Sequence, residues 1–200
     1  MNRVASILLS AVLVLALASA ASAIMGLAVG AHGGYANYSA GDASNGGLDI
    51  GVNANLSVPL LFSFQVFAEY FTYSESTEGP GQVIETSFTD IPIGIHMMYG
   101  ISIPGSPIKP YVGVGPSIHI MSSEVTGLGV TDGDESSTRF GIGGVGGVEY
   151  KFMPKLALFF ELRDHYIFTS ETVEVLPGVE VETDNTNALY ILGGVRLHLP

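Results

Sequence analysis

The stretch LFSFQVFAEYF, residues 61–71, sets a glutamine and a glutamate into a run of large apolar side chains. Side chains alternate across a β-strand, so Phe62, Phe64, Val66, Ala68 and Tyr70 share one face while Ser63, Gln65 and Glu69 lie on the other. Which of these faces points inward decides whether the chain sits in water or in lipid.

The same alternation recurs from Ile24 onward in eight stretches, roughly 24–38, 46–58, 60–74, 83–99, 109–122, 138–152, 155–170 and 187–199. One face carries Leu48, Ile50 and Val52, then Ile91, Ile93 and Ile95, then Leu156, Leu158 and Phe160, and finally Leu189, Ile191 and Val195. The other carries Asp49, Asn53, Gln65, Glu69, Arg139, Glu149, Lys151, Glu161, Arg163 and Arg196 among many glycines such as Gly30, Gly113, Gly141, Gly143 and Gly147. A soluble barrel of the lipocalin type would enclose the apolar face. Yet the polar face is mostly glycine, alanine, serine and asparagine, which suits a narrow lumen better than a wet surface.

Composition agrees with that choice. Charged residues are only 13% of the 200, with 47% apolar, against roughly a quarter charged in ordinary soluble domains. Twenty-six glycines and ten prolines point to a turn-rich β-protein. Tyr35, Tyr70, Phe140, Tyr166 and Phe168 fall near one end of the strands and Tyr99, Tyr150 and Phe152 near the other, as two interfacial aromatic girdles require. Short connections at Val58-Pro59-Leu60 and Phe152-Met153-Pro154 alternate with longer polar ones around 39–45, 75–82, 123–137 and 171–186. The expectation is an all-β chain: an eight-stranded antiparallel up-and-down transmembrane β-barrel with short periplasmic turns and longer extracellular loops.

The first 23 residues, MNRVASILLSAVLVLALASAASA, combine an early arginine, a short apolar run and the small ending Ala21-Ser22-Ala23. They read as a cleavable secretory signal, leaving 24–200 as the barrel domain. There is no cysteine, so disulfides, thiolate metal sites and thiol nucleophiles are excluded.

A carboxylate facing lipid is costly, so Glu69 is expected to face the lumen and pair with Arg163 or Arg139. Glu149, Lys151 and Arg196 would form a second cluster near the periplasmic end, with Glu161 in the same inward phase. Asp164 falls in the outward phase of its strand unless a bulge shifts the register. His32, His96, His119, His165 and His198 all fall in the inward phase. No His-x-His or His-Glu-x-x-His spacing marks a ligand set, so they read as hydrogen-bonded lumen fillers, and no metal or cofactor is expected. The glycine run 141–147 lacks a following Walker lysine and reads as barrel glycine.

The segments PYVGVGPSIHIM (110–121), GIGGVGGVEYKFMPKLALFFELRDHYIF (141–168) and ALYILGGVRLHLP (188–200) resemble the small outer-membrane barrels of the OmpA/OmpX and opacity-protein kind. The resemblance implies a barrel inserted from the periplasm into the outer membrane of a Gram-negative bacterium by the outer-membrane insertion machinery. Members commonly end in an aromatic residue; this chain closes on Leu197-His198-Leu199-Pro200. No peptidoglycan-binding segment follows, so cell-wall tethering is not expected.

The expected role is non-enzymatic: membrane integrity, adhesion or surface contact through acidic loops. Glu75, Glu78, Glu85, Glu124, Asp132, Asp134, Glu135, Glu171, Glu174, Glu180, Glu182 and Asp184 carry most of the net charge of −12. Expected partners are the lipid bilayer, lipopolysaccharide and an extracellular ligand, with divalent cations bridging the loops; nucleic acid would be repelled. A narrow pore for ions or small solutes and a soluble periplasmic binder are the alternatives. The apolar face offers no Ser-His pair for a lipid hydrolase.

Overall fold

The computed structural model describes residues 26–41, 43–58, 62–79, 82–127, 130–169, 172–176, 179–182 and 185–199. The expected leader, 1–23, lies outside them. The strands are β1 (Gly26–Ala40), β2 (Ala43–Ser57), β3 (Phe62–Gly79), β4 (Gln82–Gly100), β5 (Ile108–Gly127), β6 (Val130–Lys151), β7 (Leu156–Phe168), β8 (Thr172–Leu176), β9 (Val179–Glu182) and β10 (Thr186–His198).

Eight of these strands close on themselves in the order β1-β10-β7-β6-β5-β4-β3-β2, every neighbour antiparallel, while β8 and β9 pair as a separate hairpin. Closure comes from β1, which pairs with β2 on one side (Leu27 opposite Leu56) and β10 on the other (Tyr35 opposite Ile191). A closed ladder leaves no unpaired backbone edge, the condition for strands to cross hydrocarbon. Gly26 and His198 lie at the end where β2 passes to β3, β4 to β5 and β6 to β7. The backbone amides of His198 and Leu199 donate to the carbonyls of Lys155 and Leu27 and tie that end shut.

The two faces sort as the alternation requires. Leu48 is 73% exposed and Ile50 61%, whereas Gln65 is 0% and Glu69 3%. Exposed Ile95, Val112, Val114, Ile118, Ile142, Leu158, Phe160, Leu162, Ile191 and Val195 extend the apolar belt around the wall. Tyr35, Phe140, Tyr166 and Phe168 stand exposed at one margin and Tyr99, Tyr150 and Phe152 at the other. A soluble binder with an apolar interior is thereby excluded: the apolar face is on the outside.

One expectation changes. The stretches read as long outer loops are largely strand, since β3 runs to Gly79, β5 to Gly127 and β6 begins at Val130. Polar composition suggested loops there, but backbone pairing needs no apolar side chain, and threonine and valine favour extended structure. The β5–β6 ladder continues outward through a register shift between Ser123 and Val125. The first outer connection shrinks to residues 41–42, and Gly41 takes φ 56°, a conformation an L-residue adopts at a cost. Asp164 keeps the outward phase that alternation gave it. Its strand pairs without a bulge, opposite Gly144 on one side and Leu189 on the other, so the carboxylate does face outward.

Small and large residues alternate inside the lumen because the space is narrow. A Cβ on Gly143 would lie 2.2 Å from the His165 ring, and one on Gly147 would lie 2.7 Å from Tyr111. Inside, the outer half is also more apolar than the glycine-rich polar face implied. Ala36, Tyr38, Phe71, Met121, Ile167, Ala188, Tyr190 and Leu192 form a buried cluster there.

Candidate functional site

All eight barrel strands send titratable or hydrogen-bonding groups into the lumen at every second position. His32 comes from β1; Asp49 and Asn53 from β2; Gln65 and Glu69 from β3; Asp90 and His96 from β4; Tyr111, Ser117 and His119 from β5. Glu149 comes from β6, Glu161, Arg163 and His165 from β7, and Tyr190 and Arg196 from β10.

Arg163, 0% exposed, is the hub. Its Nη1 donates to Glu69, and its Nε, at 2.9 Å, and Nη2 both donate to Glu161. The guanidinium also stacks over Phe67, 4.8 Å from the ring centre. Glu161 Oε1 accepts three further bonds, from Gln65 Nε2 at 3.0 Å, Tyr111 Oη at 2.7 Å and Arg196 Nη2 at 3.1 Å. Arg196 links onward to Glu149 at 2.7 Å, and the Glu149 carboxylate meets His198 Nε2 at 3.1 Å. Charges buried this deeply persist only when paired and hydrogen-bonded, and here each guanidinium serves two carboxylates.

Arg139 and Lys151 stand elsewhere. Arg139 lies opposite His119, three inward positions nearer the outer end than Val145, the residue facing Arg163. Lys151 is exposed at the inner mouth, and His198 stands beside Glu149 in its place.

Toward the outer end lies a second chain of contacts. The Tyr38 hydroxyl bonds Asp90 Oδ2 at 2.6 Å and Tyr190 Oη at 2.5 Å. Asp90 Oδ2 also meets His119 Nδ1 at 2.6 Å, and His119 Nε2 meets Ser117 Oγ at 3.1 Å. The His165 ring stands edge-on to those of His119 and His96, at 5.5 and 5.6 Å between centres. Asp90 escaped the sequence reading although it shares the inward phase of His96; a strand-by-strand list of inward carboxylates would have caught it.

Ser117, His119 and Asp90 have the bonding order of a nucleophile, a base and an orienting acid. Ser117 is 2% exposed, and Gly141 crosses so close that a Cβ there would lie 2.9 Å from its hydroxyl. At that burial the three groups form a hydrogen-bonded chain that ties β5 to β4.

Two vestibules flank the packed middle. The inner one, about 40 Å³, is lined by Asn55, Met98, Lys109, Tyr111, Glu149 and Arg196 among others. The outer one, about 170 Å³, is lined by Tyr38, Asn45, Tyr73, Phe88 and Met121 among others. Between them stand the Arg163 and histidine layers. His32, Asp49 and Glu69 bring one nitrogen and two carboxylate oxygens within 4.8 Å of one another, the one such grouping among the described residues.

A family model, the outer membrane protein beta-barrel domain, matches residues 6–193. The chain belongs to this family. It is an integral outer-membrane β-barrel of a Gram-negative bacterium. No curated protein matches it. Among solved structures it is similar to Neisserial surface protein A, with 25% identity, TM-score 0.60, and 86% of this chain and 96% of that one covered. It shares a fold with Ail of Yersinia pestis, solved with the heparin analogue sucrose octasulfate, at 7% identity, TM-score 0.59, and 88% and 99% coverage. OprG of Pseudomonas aeruginosa matches at 12% identity, TM-score 0.53, and 86% and 95% coverage.

Proposed function

We propose that this outer-membrane barrel is a closed, non-enzymatic surface protein that works at its outer rim. The carrying observation is the lumen: Arg163, Glu161, Gln65, Phe67 and His165 are each fully or almost fully buried between the two vestibules. Their mutual bonds occupy the space an ion would need, which fits the narrow bore of an eight-stranded wall. The lumen charges therefore serve to lock strands together, and the enclosed Ser117 does no hydrolysis.

The working surface is then the part of the strands beyond the lipid belt. Ser74, Glu75 and Ser76 are exposed there, and the acidic side chains of the outer segments dominate the charge of −12. Such a rim attracts cationic proteins and repels polyanions. In the membrane the rim stands among lipopolysaccharide phosphates, with divalent cations bridging like charges. Residues 1–23 act as the leader that delivers 24–200.

Planar bilayers test the closed lumen. Addition of the purified barrel should leave conductance at the level of the bare membrane; discrete channel steps abolished by Glu69→Gln would establish the narrow-pore reading instead. A fluorophosphonate probe should leave Ser117 unlabelled, and labelling lost in Ser117→Ala would make the chain an enzyme. For the rim, barrels in nanodiscs should retain cytochrome c, a basic protein, in a salt-sensitive way. Equal retention after neutralising Glu75 and the other rim acids would refute rim recognition.

A further inference from the structure

We infer that His32, Asp49 and Glu69 form a site for one divalent transition-metal ion such as Zn²⁺ inside the barrel wall. Three observations carry it. First, the donors converge: His32 Nε2 lies 3.2 Å from Glu69 Oε1 and 4.0 Å from Asp49 Oδ2, with all three side chains at 0% exposure. Second, the donors are orphaned. Both Asp49 oxygens, Glu69 Oε2 and His32 Nε2 are buried with no hydrogen-bond partner. A fully buried carboxylate with neither oxygen bonded is strongly disfavoured unless something positive stands beside it. Third, the Gly51 backbone passes so close that a Cβ there would lie 2.6 Å from His32 Nε2 and 2.8 Å from Glu69 Cγ, so only glycine lets these donors converge.

Charge balance points the same way. Among the described residues, the buried carboxylates are Asp49, Glu69, Asp90, Glu149 and Glu161, against two buried guanidiniums, Arg163 and Arg196. Arg163 is already divided between Glu69 and Glu161, and Arg196 between Glu149 and Glu161. Asp90 has His119 at 2.6 Å to share a proton. Asp49 is left with no such partner, and a dication beside it offsets the remaining excess.

The donor set selects the class of ion. One imidazole and two carboxylates suit borderline first-row cations, whereas calcium and magnesium favour oxygen alone. Zinc binds such ligands at about 2.0–2.2 Å, so two of them stand no more than about 4.4 Å apart. Donors within 4.8 Å stand a few tenths of an ångström from that separation. Glu69 contributes Oε2, since Oε1 takes the bond from Arg163. Asn53 is the orienting neighbour: its amide lies 3.2 Å from His32 Nδ1. Ligation through Nε2 leaves the proton on Nδ1, so Asn53 turns its oxygen toward the ring, losing only a 3.5 Å contact from Arg196. The packed layers on either side mean that the ion enters as the barrel folds.

The test uses the full barrel purified from outer membranes, and the same protein refolded with EDTA or with ZnCl₂. One zinc per chain is expected by elemental analysis after refolding with zinc, with a raised unfolding temperature in detergent. Refolding with Co²⁺ should give the visible absorption bands of a nitrogen-and-oxygen site. Asp49→Asn and, separately, His32→Asn should each weaken binding at least tenfold; Asp49→Asn should also raise the metal-free unfolding temperature by removing the orphaned charge. Stoichiometric zinc unaffected by either substitution would place the ion on the acidic rim and overturn the inference. So would a wild-type barrel that takes no metal while Asp49→Asn alone stabilises it, because a proton would then hold the position.

Discussion

Replacing Arg163 by methionine keeps a long apolar side chain while removing three donor bonds at one stroke. Glu161 would retain Gln65, Tyr111 and Arg196, but Glu69 would keep only His32, 3.2 Å away. Stranding one buried partner of an ion pair costs about 3–5 kcal/mol, and each 1.4 kcal/mol is about tenfold in the equilibrium. Arg163→Met should therefore lower the folding equilibrium by about two to three and a half orders of magnitude. The measurement is urea unfolding of the barrel in lipid vesicles. It is followed by far-UV circular dichroism and by the mobility of the unboiled band, because the chain has no tryptophan to report. Adding Glu69→Gln should recover part of the loss, with a coupling of about 0.5–3 kcal/mol between the two sites. A single-mutant cost below about 1 kcal/mol, or strict additivity in the pair, would refute a dry, locked lumen.

Other perturbations probe the same architecture. Gly143→Leu should force the His165 ring aside and cost about 1–3 kcal/mol in the same vesicle assay; His165→Ala in the same chain should restore most of it, and no restoration would show that the clash lies elsewhere. Tyr111→Phe removes the 2.7 Å bond to Glu161 and should cost about 1.5–3 kcal/mol, read as a shift of the urea midpoint at constant slope. Asp164→Leu takes a carboxylate off the lipid face near the outer girdle and should stabilise the inserted barrel, by no more than about 1 kcal/mol. A destabilised Asp164→Leu barrel would mean that this carboxylate has a partner in the membrane.

Much of the fold was legible because one local rule, alternation of side chains, carries through every strand. That rule placed Leu48 and Ile50 outside and Gln65 and Glu69 inside, and it did so before any pairing was known. The outer segments were harder. Serine and threonine read as loop, yet their backbone groups continue the β3–β4 and β5–β6 ladders. The lumen aromatics were legible in principle, since Phe67 and Phe71 share the phase of Glu69. A polar strand face simply did not advertise that its gaps would be filled by rings.

By itself, the sequence determined which side chains face lipid and which face inward, where the aromatic margins lie, and that the barrel closes around a small, charged interior. These follow from period-two geometry and from transfer energies that each residue carries wherever it sits. Only the tertiary structure decided the partners. Glu69 meets Arg163, with Arg139 further out; Glu149 meets Arg196 and His198; and Asp49, from the next strand, is left beside His32 with no bond of its own. The reason is that pairing across a lumen depends on depth, and depth depends on strand register, which side-chain alternation leaves free in steps of two residues.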